Sequence, residues 1–418
     1  LFPIFPDKSK QYRYLPPYQV VTQLNRRHFI VSPNSDRRIP PHRRAAMTDY
    51  YPDADHWQHL DPAAAGFDDE RLTDSFAYAI TQEITTSQDL TQMIPTGQRH
   101  PYDRQLGPIK DRSTAAGLVA KNGYLIGQFG PVDSTEVTFS CSKSYLSATA
   151  GLAFDDGLID DLDQPVAESV HDGGFDSPHN AQITWRQLLQ QTSEWEGELF
   201  GLPDWIDRGR QVNSTPGMEA GTIGGSAAAS DNHRDLQEPG TFWEYNDVRV
   251  NRASLSLLRL YGAPLPQILK SRIMDPIGAS QTWDWHGYEP SWVEEKGQRV
   301  QSVSGGAHWG GGVWIDSYDH ARFGLLFLRG GRWRDAQILS ENWIAQTTVP
   351  CDINPEYGLL WWLNHQHSMS DLACEKSFAA RGAGGNIIFI EPEKDIIIVL
   401  RWCGNPKGVI DRILGSAV

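Results

Sequence analysis

Residues 139–152 show the clearest periodic pattern of apolar and polar positions in the chain. Apolar or small residues recur there with the spacing of one helical face. They are Cys141, Tyr145, Ala148 and Leu152. Gly157 follows where the pattern stops, and glycine tolerates the left-handed conformation that ends many helices. The pattern therefore predicts a helix whose first turn contains or adjoins Ser140.

Shorter apolar runs on both sides of this helix predict strands. Residues 118–121 and 124–126 flank Asn122-Gly123, and Asn-Gly between apolar runs is a strong signal for a β-hairpin. Residues 386–390 and 396–402 predict a second hairpin near the end of the chain, and residues 357–363 predict a further strand.

Helical patterns fill much of the region between these strands. Residues 184–187 carry a capping-box pattern, and a helix with either Asn246 or Asp247 as its N-cap ends before Gly262. Helices are also predicted within residues 68–84 and around residues 321–326. Together these elements predict an α+β fold, in which residues 47–139 and 291–418 form one antiparallel sheet domain and residues 140–290 a mainly helical domain.

Ser140 and Lys143 lie three residues apart and therefore on the same side of the predicted helix. Backbone amides at a helix start favour negative charge near the serine oxygen, and an amine one turn away can hold or accept its proton. This is the requirement for an activated serine nucleophile. The chain holds one Ser-x-x-Lys quartet, and about one or two are expected by chance in a chain of this length, so the motif alone is a weak signal. An exposed serine beside a solvated lysine is therefore the alternative.

Composition excludes some classes of partner. The net charge of −15 argues against nucleic acid, and no apolar run is long enough to span a membrane.

Residues 1–46 carry nine basic and two acidic residues and precede Met47. We interpret them as a disordered leader or as sequence upstream of the natural start, with a basic docking arm as the alternative. Four cysteines without a Cys-x-x-Cys pair fit a reducing compartment, so a cytoplasmic location is expected.

Two histidine pairs invite a metal interpretation. His56-x-x-His59 and His365-x-His367 both lack the further ligands that a metal site needs. Chance spacing explains them better, so we expect neither a metal nor another cofactor.

Three motifs occur in an order that resembles a known family. Ser140-x-x-Lys143 comes first, Tyr245 in an acidic, asparagine-bearing turn second, and Gly382-Ala383-Gly384-Gly385 before a late strand third. In this order the chain resembles the penicillin-recognising serine hydrolases over about residues 60–405. It is most similar to the class C β-lactamase-related branch, with its carboxylesterases, D-aminopeptidases and 6-aminohexanoate-dimer hydrolase.

The resemblance implies a β-lactamase/transpeptidase-like fold with its active site between the two domains. Ser140 would attack a carbonyl and form an acyl-enzyme, while Lys143 and Tyr245 would transfer protons in an order that the sequence leaves open. The backbone amides of Ser140 and Ala383 would form the oxyanion hole.

Two motif positions depart from the family pattern. Asp247 stands where asparagine is usual, and Ala380-Arg381-Gly382 replaces the usual Lys/His-Thr/Ser-Gly. A cation for the carboxylate of a β-lactam is therefore missing at Ala380. We expect a hydrolase of a small ester or amide, with a binding or sensor module of little turnover as the alternative. The candidate substrate-binding residues are Asn246, Asp247, His308, Trp309, Arg381, Gly382 and Trp195.

Overall fold

The structure is a computed structural model that describes residues 50–93, 107, 111–208, 234–307 and 311–418. The predicted leader, residues 1–46, lies outside the described residues. The helices are α1 (Asp69–Thr81), α2 (Leu90–Met93), α3 (Ser142–Asp155), α4 (Trp185–Leu189), α5 (Asp247–Tyr261), α6 (Leu265–Leu269), α7 (Ser317–Leu328), α8 (Glu341–Thr347) and α9 (Pro406–Gly415). The strands are β1 (Ala116–Lys121), β2 (Tyr124–Phe129), β3 (Glu136–Val137), β4 (Glu198–Leu199), β5 (Leu202–Pro203), β6 (Asp284–Glu295), β7 (Gln298–Val303), β8 (Gly312–Ile315), β9 (Arg332–Trp333), β10 (Ala336–Gln337), β11 (Trp362–Leu363), β12 (Phe378–Gly382), β13 (Asn386–Glu391) and β14 (Ile396–Arg401).

Both halves of the chain contribute to one antiparallel sheet, as the sequence predicts. Its strand order is β11-β12-β13-β14-β1-β2, and Val119 of β1 lies opposite Ile398 of β14. Asn122 and Gly123 both have positive φ, which is the backbone of the tight turn predicted between β1 and β2. The β13–β14 hairpin is also confirmed.

The strand predicted over residues 357–363 is wrong for most of its length. Only Trp362 and Leu363 pair as a strand, with β12, while Tyr357 forms an isolated bridge with Trp362. Leu360 between them has a φ of 61°, so the chain turns here. The apolar run reflects burial in this compact turn rather than an extended backbone.

The structure also contains a second sheet, with strand order β3-β8-β6-β7, which the sequence pattern does not predict. The strand β3 has two residues, which is too short for any periodic pattern. It matters for the site because Thr138, directly after β3, donates its amide to the Val313 carbonyl of β8 at 2.9 Å. The Val313 amide donates in turn to Ser142 Oγ at 2.8 Å. The second sheet therefore holds the start of α3.

Helix α3 lies inside the protein and is buried on every side from Ser142 to Ala153. The single apolar face expected from the sequence is therefore an incomplete description. Tyr145 stacks on Phe323 of α7 with ring centroids 3.9 Å apart, and Gly151 lies directly against Trp343 of α8. Small residues along the helix allow these close approaches. Beyond the helix, Gly157 has a φ of 69°, as its position predicts.

The other helix boundaries agree with the sequence. Asp68 caps α1, and the capping box of Thr184 and Gln187 is present at α4. Of the two caps left open for α5, the structure has Asn246, whose side chain accepts from the Arg249 amide.

The hydrophobic core runs through both regions that the sequence analysis separates. Val119, Tyr145, Val250 and Ile388 belong to one buried cluster. The division into residues 47–139, 140–290 and 291–418 stays a prediction. None of the described helices is at once long and apolar enough to cross a lipid bilayer.

Two carboxyl groups are buried together at the start of α7. Asp316 is the N-cap, and its side chain accepts from the Asp319 amide at 2.8 Å. Burial, and then the charge of Asp319, raises the pKa of Asp316 to about 7, and burial also raises the pKa of Asp319. The folded protein thus holds a proton that the unfolded chain releases near pH 4. The contribution of this pair to the free energy of unfolding should therefore fall as pH rises from about 4 to about 7.

Asp316→Asn tests this linkage. Asparagine keeps the capping oxygen but removes the charge. We expect the variant to match the wild type near pH 4 and to exceed its free energy of unfolding by about 1–3 kcal/mol at pH 8, measured by urea denaturation. Asp68→Asn, at the less buried cap of α1, should bring no such gain. An equal effect of Asp316→Asn at both pH values would contradict the prediction.

Candidate active site

Ser140 lies in a single 3₁₀ turn, Phe139–Cys141, that leads directly into α3. Phe139 has a φ of 49°, a conformation that non-glycine residues rarely adopt and that persists where the surroundings enforce it. Its buried ring meets Trp402 edge-on, with centroids 6.2 Å apart. Packing on one side and the second sheet on the other therefore hold the half-buried serine in place.

Lys143 lies in the first turn of α3, three residues after Ser140, and its side chain reaches back to the serine. Its Nζ is 2.8 Å from Ser140 Oγ, 2.6 Å from Asp247 Oδ1 and 2.7 Å from the Gly306 carbonyl oxygen. The residue is 1% exposed. These three oxygens come from the turn before α3, from α5 and from the segment after β7, so the amine joins three separate parts of the chain.

The chemistry of the three oxygens determines what this lysine can do. A carboxylate and a peptide carbonyl accept hydrogen bonds but cannot donate them, whereas a hydroxyl does both. A neutral amine would donate its two hydrogens to Asp247 and Gly306 and accept the Ser140 proton on its lone pair. An ammonium would donate its third hydrogen to Ser140 Oγ. The same geometry accommodates the proton on either atom, as a proton-transferring lysine requires.

Asp247 is the ion-pair partner of Lys143 rather than a residue on the edge of the site. Both side chains are almost fully buried, at 2% exposure for the lysine and 5% for the aspartate. Burial disfavours the ammonium form, while an adjacent carboxylate favours it. The Asp247 carboxylate therefore opposes the effect of burial on the lysine.

Tyr245 lies on the other side of this amine. Its ring centroid is 4.3 Å from Lys143 Nζ, and its ring stacks on Trp362 with centroids 5.7 Å apart. The Arg381 guanidinium lies 4.7 Å from the Trp362 centroid. Two cations thus enclose two aromatic rings, an arrangement that cation–π attraction stabilises. Sequence reasoning missed Trp362, although the Trp361-Trp362 doublet marks it.

Asn246, a candidate for substrate binding, is fully buried beneath the site. Its oxygen caps α5, and its Nδ2 donates to the Asp204 carbonyl at 2.9 Å and to Glu244 Oε2 at 3.4 Å. The structure therefore assigns this side chain to shaping the Tyr245–Asp247 turn rather than to contacting substrate.

A buried cluster of carboxylates and guanidiniums supports the same turn. Its ion pairs join Arg249 with Glu194, Asp204 and Glu244, Arg234 with Glu194 and Glu244, and Arg208 with Asp204. Burial opposes ionisation of Glu194, but the hydrogen bonds from Arg234 and the charge of Arg249 hold the pKa of this carboxyl below its usual value. Buried charges that are paired in this way fix the backbone that carries Tyr245.

The end of β12 lies against the serine. A Cβ atom built at Gly382 would overlap the Thr138 carbonyl oxygen and lie 3.2 Å from the amide nitrogens of Ser140 and Cys141. Only glycine allows this approach without displacing the strand. The amides of Ser140 and Ala383, predicted to form the oxyanion hole, therefore belong to two segments in direct contact.

The remaining candidates are placed differently. Trp195 is buried and donates its indole N–H to the Gly174 carbonyl at 2.7 Å, which gives it a structural place in its loop. His308 and Trp309 lie outside the described residues.

Cys141 follows the serine, but burial raises the pKa of its thiol to about 12, so it is no competing nucleophile at neutral pH. In the part of the chain that the structure describes, no group of three or more His, Cys, Asp or Glu side chains is placed to hold a metal ion.

Comparisons with known proteins identify the family and the fold. The family model Beta-lactamase matches residues 104–412, more than half of the chain. Among curated proteins, none matches the sequence significantly.

Several solved structures share the fold at low sequence identity. A family VIII carboxylesterase is 16% identical with a TM-score of 0.52, covering 83% of this chain and 96% of its own. EstCE1, a hydrolase with promiscuous acyltransferase activity, is 14% identical with a TM-score of 0.51, covering 83% of this chain and 97% of its own. A penicillin-binding protein homologue from Caulobacter crescentus is 16% identical with a TM-score of 0.50, covering 72% and 92%. The β-lactamase/transpeptidase-like fold predicted from the sequence is confirmed.

Gly382→Ala tests the close approach of β12 to the serine. The added methyl group would push the strand away from the Thr138 carbonyl and the Ser140 amide. We expect kcat to fall by about 10²-fold or more because the oxyanion hole would open, as measured with a chromogenic ester. Ala380→Gly, a change of the same size two residues earlier, should leave kcat within a few-fold of the wild type. Full activity in Gly382→Ala would contradict the assigned geometry.

Proposed function

The chain belongs to the Beta-lactamase family and is a serine hydrolase of that family, and we propose that it cleaves a small ester or amide through an acyl-enzyme on Ser140. The observation that carries this proposal is the 2.8 Å contact between Lys143 Nζ and Ser140 Oγ. It joins a hydroxyl at the entrance of a helix to a buried amine that Asp247 and Gly306 hold in place.

The proposed reaction has two halves. Ser140 Oγ attacks the substrate carbonyl while its proton moves to Lys143 Nζ, and the oxygen that becomes negative lies between the Ser140 and Ala383 amides. The leaving alcohol or amine departs with a proton delivered by Lys143 or Tyr245. Water then attacks the acyl-enzyme and gives a proton to the same groups. They pass a proton to the departing Ser140 oxygen, so that the acid and the free serine are released.

The electrostatics of the site favour a neutral acyl group. Ala380 supplies no cation, and Arg381 is 7% exposed with its guanidinium 4.7 Å from the Trp362 ring centroid. Asp247 brings a carboxylate to the position beside Lys143. Both features weigh against the carboxylate-bearing acyl group of a β-lactam and support a short-chain ester or amide as substrate.

A binding or sensor module of this fold is the competing hypothesis. Such a module needs a pocket, but it has no need for a serine, a lysine and a tyrosine that converge. The contacts of Lys143 with Ser140 and with the Tyr245 ring therefore favour an enzyme.

Ser140→Ala tests the proposal. With p-nitrophenyl butyrate we expect kcat/KM to fall by at least about 10³-fold and labelling by a fluorophosphonate to disappear, while the melting temperature stays close to that of the wild type. Ser147→Ala is the matched control, because Ser147 Oγ is buried in α3, the helix that follows Ser140, and has no hydrogen-bond partner in the described residues. It should keep full activity.

Two other outcomes carry different meanings. Persistent labelling of Ser140→Ala would refute the nucleophile. A wild type that is labelled at Ser140 but turns over none of a panel of short esters, D-amino-acid amides, linear amide dimers and a cephalosporin would favour the sensor hypothesis.

A further inference from the structure

Ala383 lies one residue beyond the end of β12, where the sheet no longer fixes the backbone. Gly382 is the last paired residue of β12, opposite Asn386 of β13. Gly384 and Gly385 follow Ala383 with φ values of 78° and 70°. Glycine has the greatest conformational freedom of any residue. Something other than strand pairing must therefore hold Ala383 in one orientation.

The Asn386 side chain supplies this restraint. Its Nδ2 donates to the Ala383 carbonyl at 2.7 Å, and its Oδ1 accepts from Arg401 Nε at 2.7 Å. Arginine can only donate and a carbonyl can only accept, so the two partners fix which amide atom faces which way. Asn386 is 1% exposed, and hydrogen bonds in such a site are costly to break.

Arg401 fixes this asparagine to the frame that also holds Ser140. The guanidinium donates to the Val137 carbonyl at 3.0 Å and to the Ile315 carbonyl at 2.9 Å, and Glu136 lies 3.9 Å away as its counter-charge. These residues belong to β3 and β8, which hold the turn of Ser140. One buried cation therefore links the segments that carry both amides of the oxyanion hole.

We propose that Asn386, held by Arg401, is the positioning residue of the oxyanion hole: it fixes the Ala383 carbonyl and, through the backbone of Ala383, aims the amide of this residue at the oxygen that becomes negative. This inference rests on the proposed acyl-enzyme function. Asn386 contacts the protein rather than the substrate, so it acts through Ala383. Because the loss of one oxyanion donor costs about 10²–10³ in kcat, misdirecting that donor should cost a large part of this factor.

Asn386→Asp removes the donor and keeps the acceptor. Beside the Arg401 guanidinium the new carboxylate stays ionised, so it cannot donate to the Ala383 carbonyl and repels it. With p-nitrophenyl butyrate we expect kcat to fall about 10–100-fold with KM unchanged, the signature of an interaction made in the transition state. The affinity for an alkyl boronic acid, which forms a tetrahedral adduct with serine, should fall by a similar factor. Asn386→Ala also removes the donor, and we expect the same result from it. It replaces the aspartate variant if that variant folds poorly.

Asn364→Asp is the matched control. Asn364 is fully buried, and its Nδ2 donates to the Ser370 and Cys374 carbonyls at 3.2 and 3.1 Å. The substitution therefore makes the same chemical change in a different loop. We expect its melting temperature to fall, while kcat per folded molecule and boronic acid affinity stay at wild-type values.

The outcomes separate this inference from the proposed function. Folded Asn386→Asp and Asn386→Ala variants with kcat and boronic acid affinity within threefold of the wild type would overturn the inference. If Ser140→Ala were still inactive and unlabelled in that case, the acyl-enzyme function would stand. If Ser140→Ala kept its activity, the proposed function itself would fail, and the role assigned to Asn386 would fail with it.

Discussion

The buried contact of Lys143 Nζ with three oxygens is the interaction on which the rest of the site depends. It brings together Ser140 of the helix entrance, Asp247 of α5 and Gly306 after β7. Taking an ammonium and a carboxylate out of water costs several kcal/mol per ion, which their attraction offsets only with good geometry and further hydrogen bonds. A salt bridge in this position is a weak source of stability. Its value lies in holding one amine within proton-transfer distance of one hydroxyl.

Each of the three oxygens is itself held by contacts that do not involve the lysine. The Asp247 backbone starts α5 behind the Asn246 cap, and its amide donates to Asp207 Oδ2 at 3.0 Å. The Gly306 amide donates to Asn251 Oδ1 at 2.9 Å, and Gly306 packs so closely on the Asp247 backbone that a Cβ would overlap it. Ser140 is held by the second sheet and by Phe139. The groups are therefore in place before any substrate arrives, which is how electrostatic stabilisation of a transition state becomes effective.

The sequence reveals the local parts of this arrangement better than the parts that depend on distant contacts. Ser140 lies in the helical turn that leads into α3 and Lys143 in the first turn of α3, so their spacing alone indicates that they meet. Tyr245 and Gly382 lie far from Ser140 along the chain, and the order of the three motifs identifies them as candidates. Gly306 contributes a main-chain oxygen, which carries no side-chain signature. Trp362 stands at the end of an apolar run that is mostly a compact turn, so the sequence pattern gave it no distinct position. Asn386 and Arg401 meet across two neighbouring strands, and their purpose becomes visible only when Ala383 is seen between them and the serine.

The central claim is that Lys143 accepts the serine proton and does not merely neutralise Asp247. Lys143→Arg separates the two roles, since an arginine can pair with Asp247 but does not deprotonate at accessible pH. The most direct measurement is the rate constant for acylation of Ser140, taken from the burst of p-nitrophenol in stopped flow for the wild type and the variant. If Lys143 transfers the proton, acylation in a folded Lys143→Arg variant falls by about 10³-fold or more. Acylation within tenfold of the wild type would contradict the account.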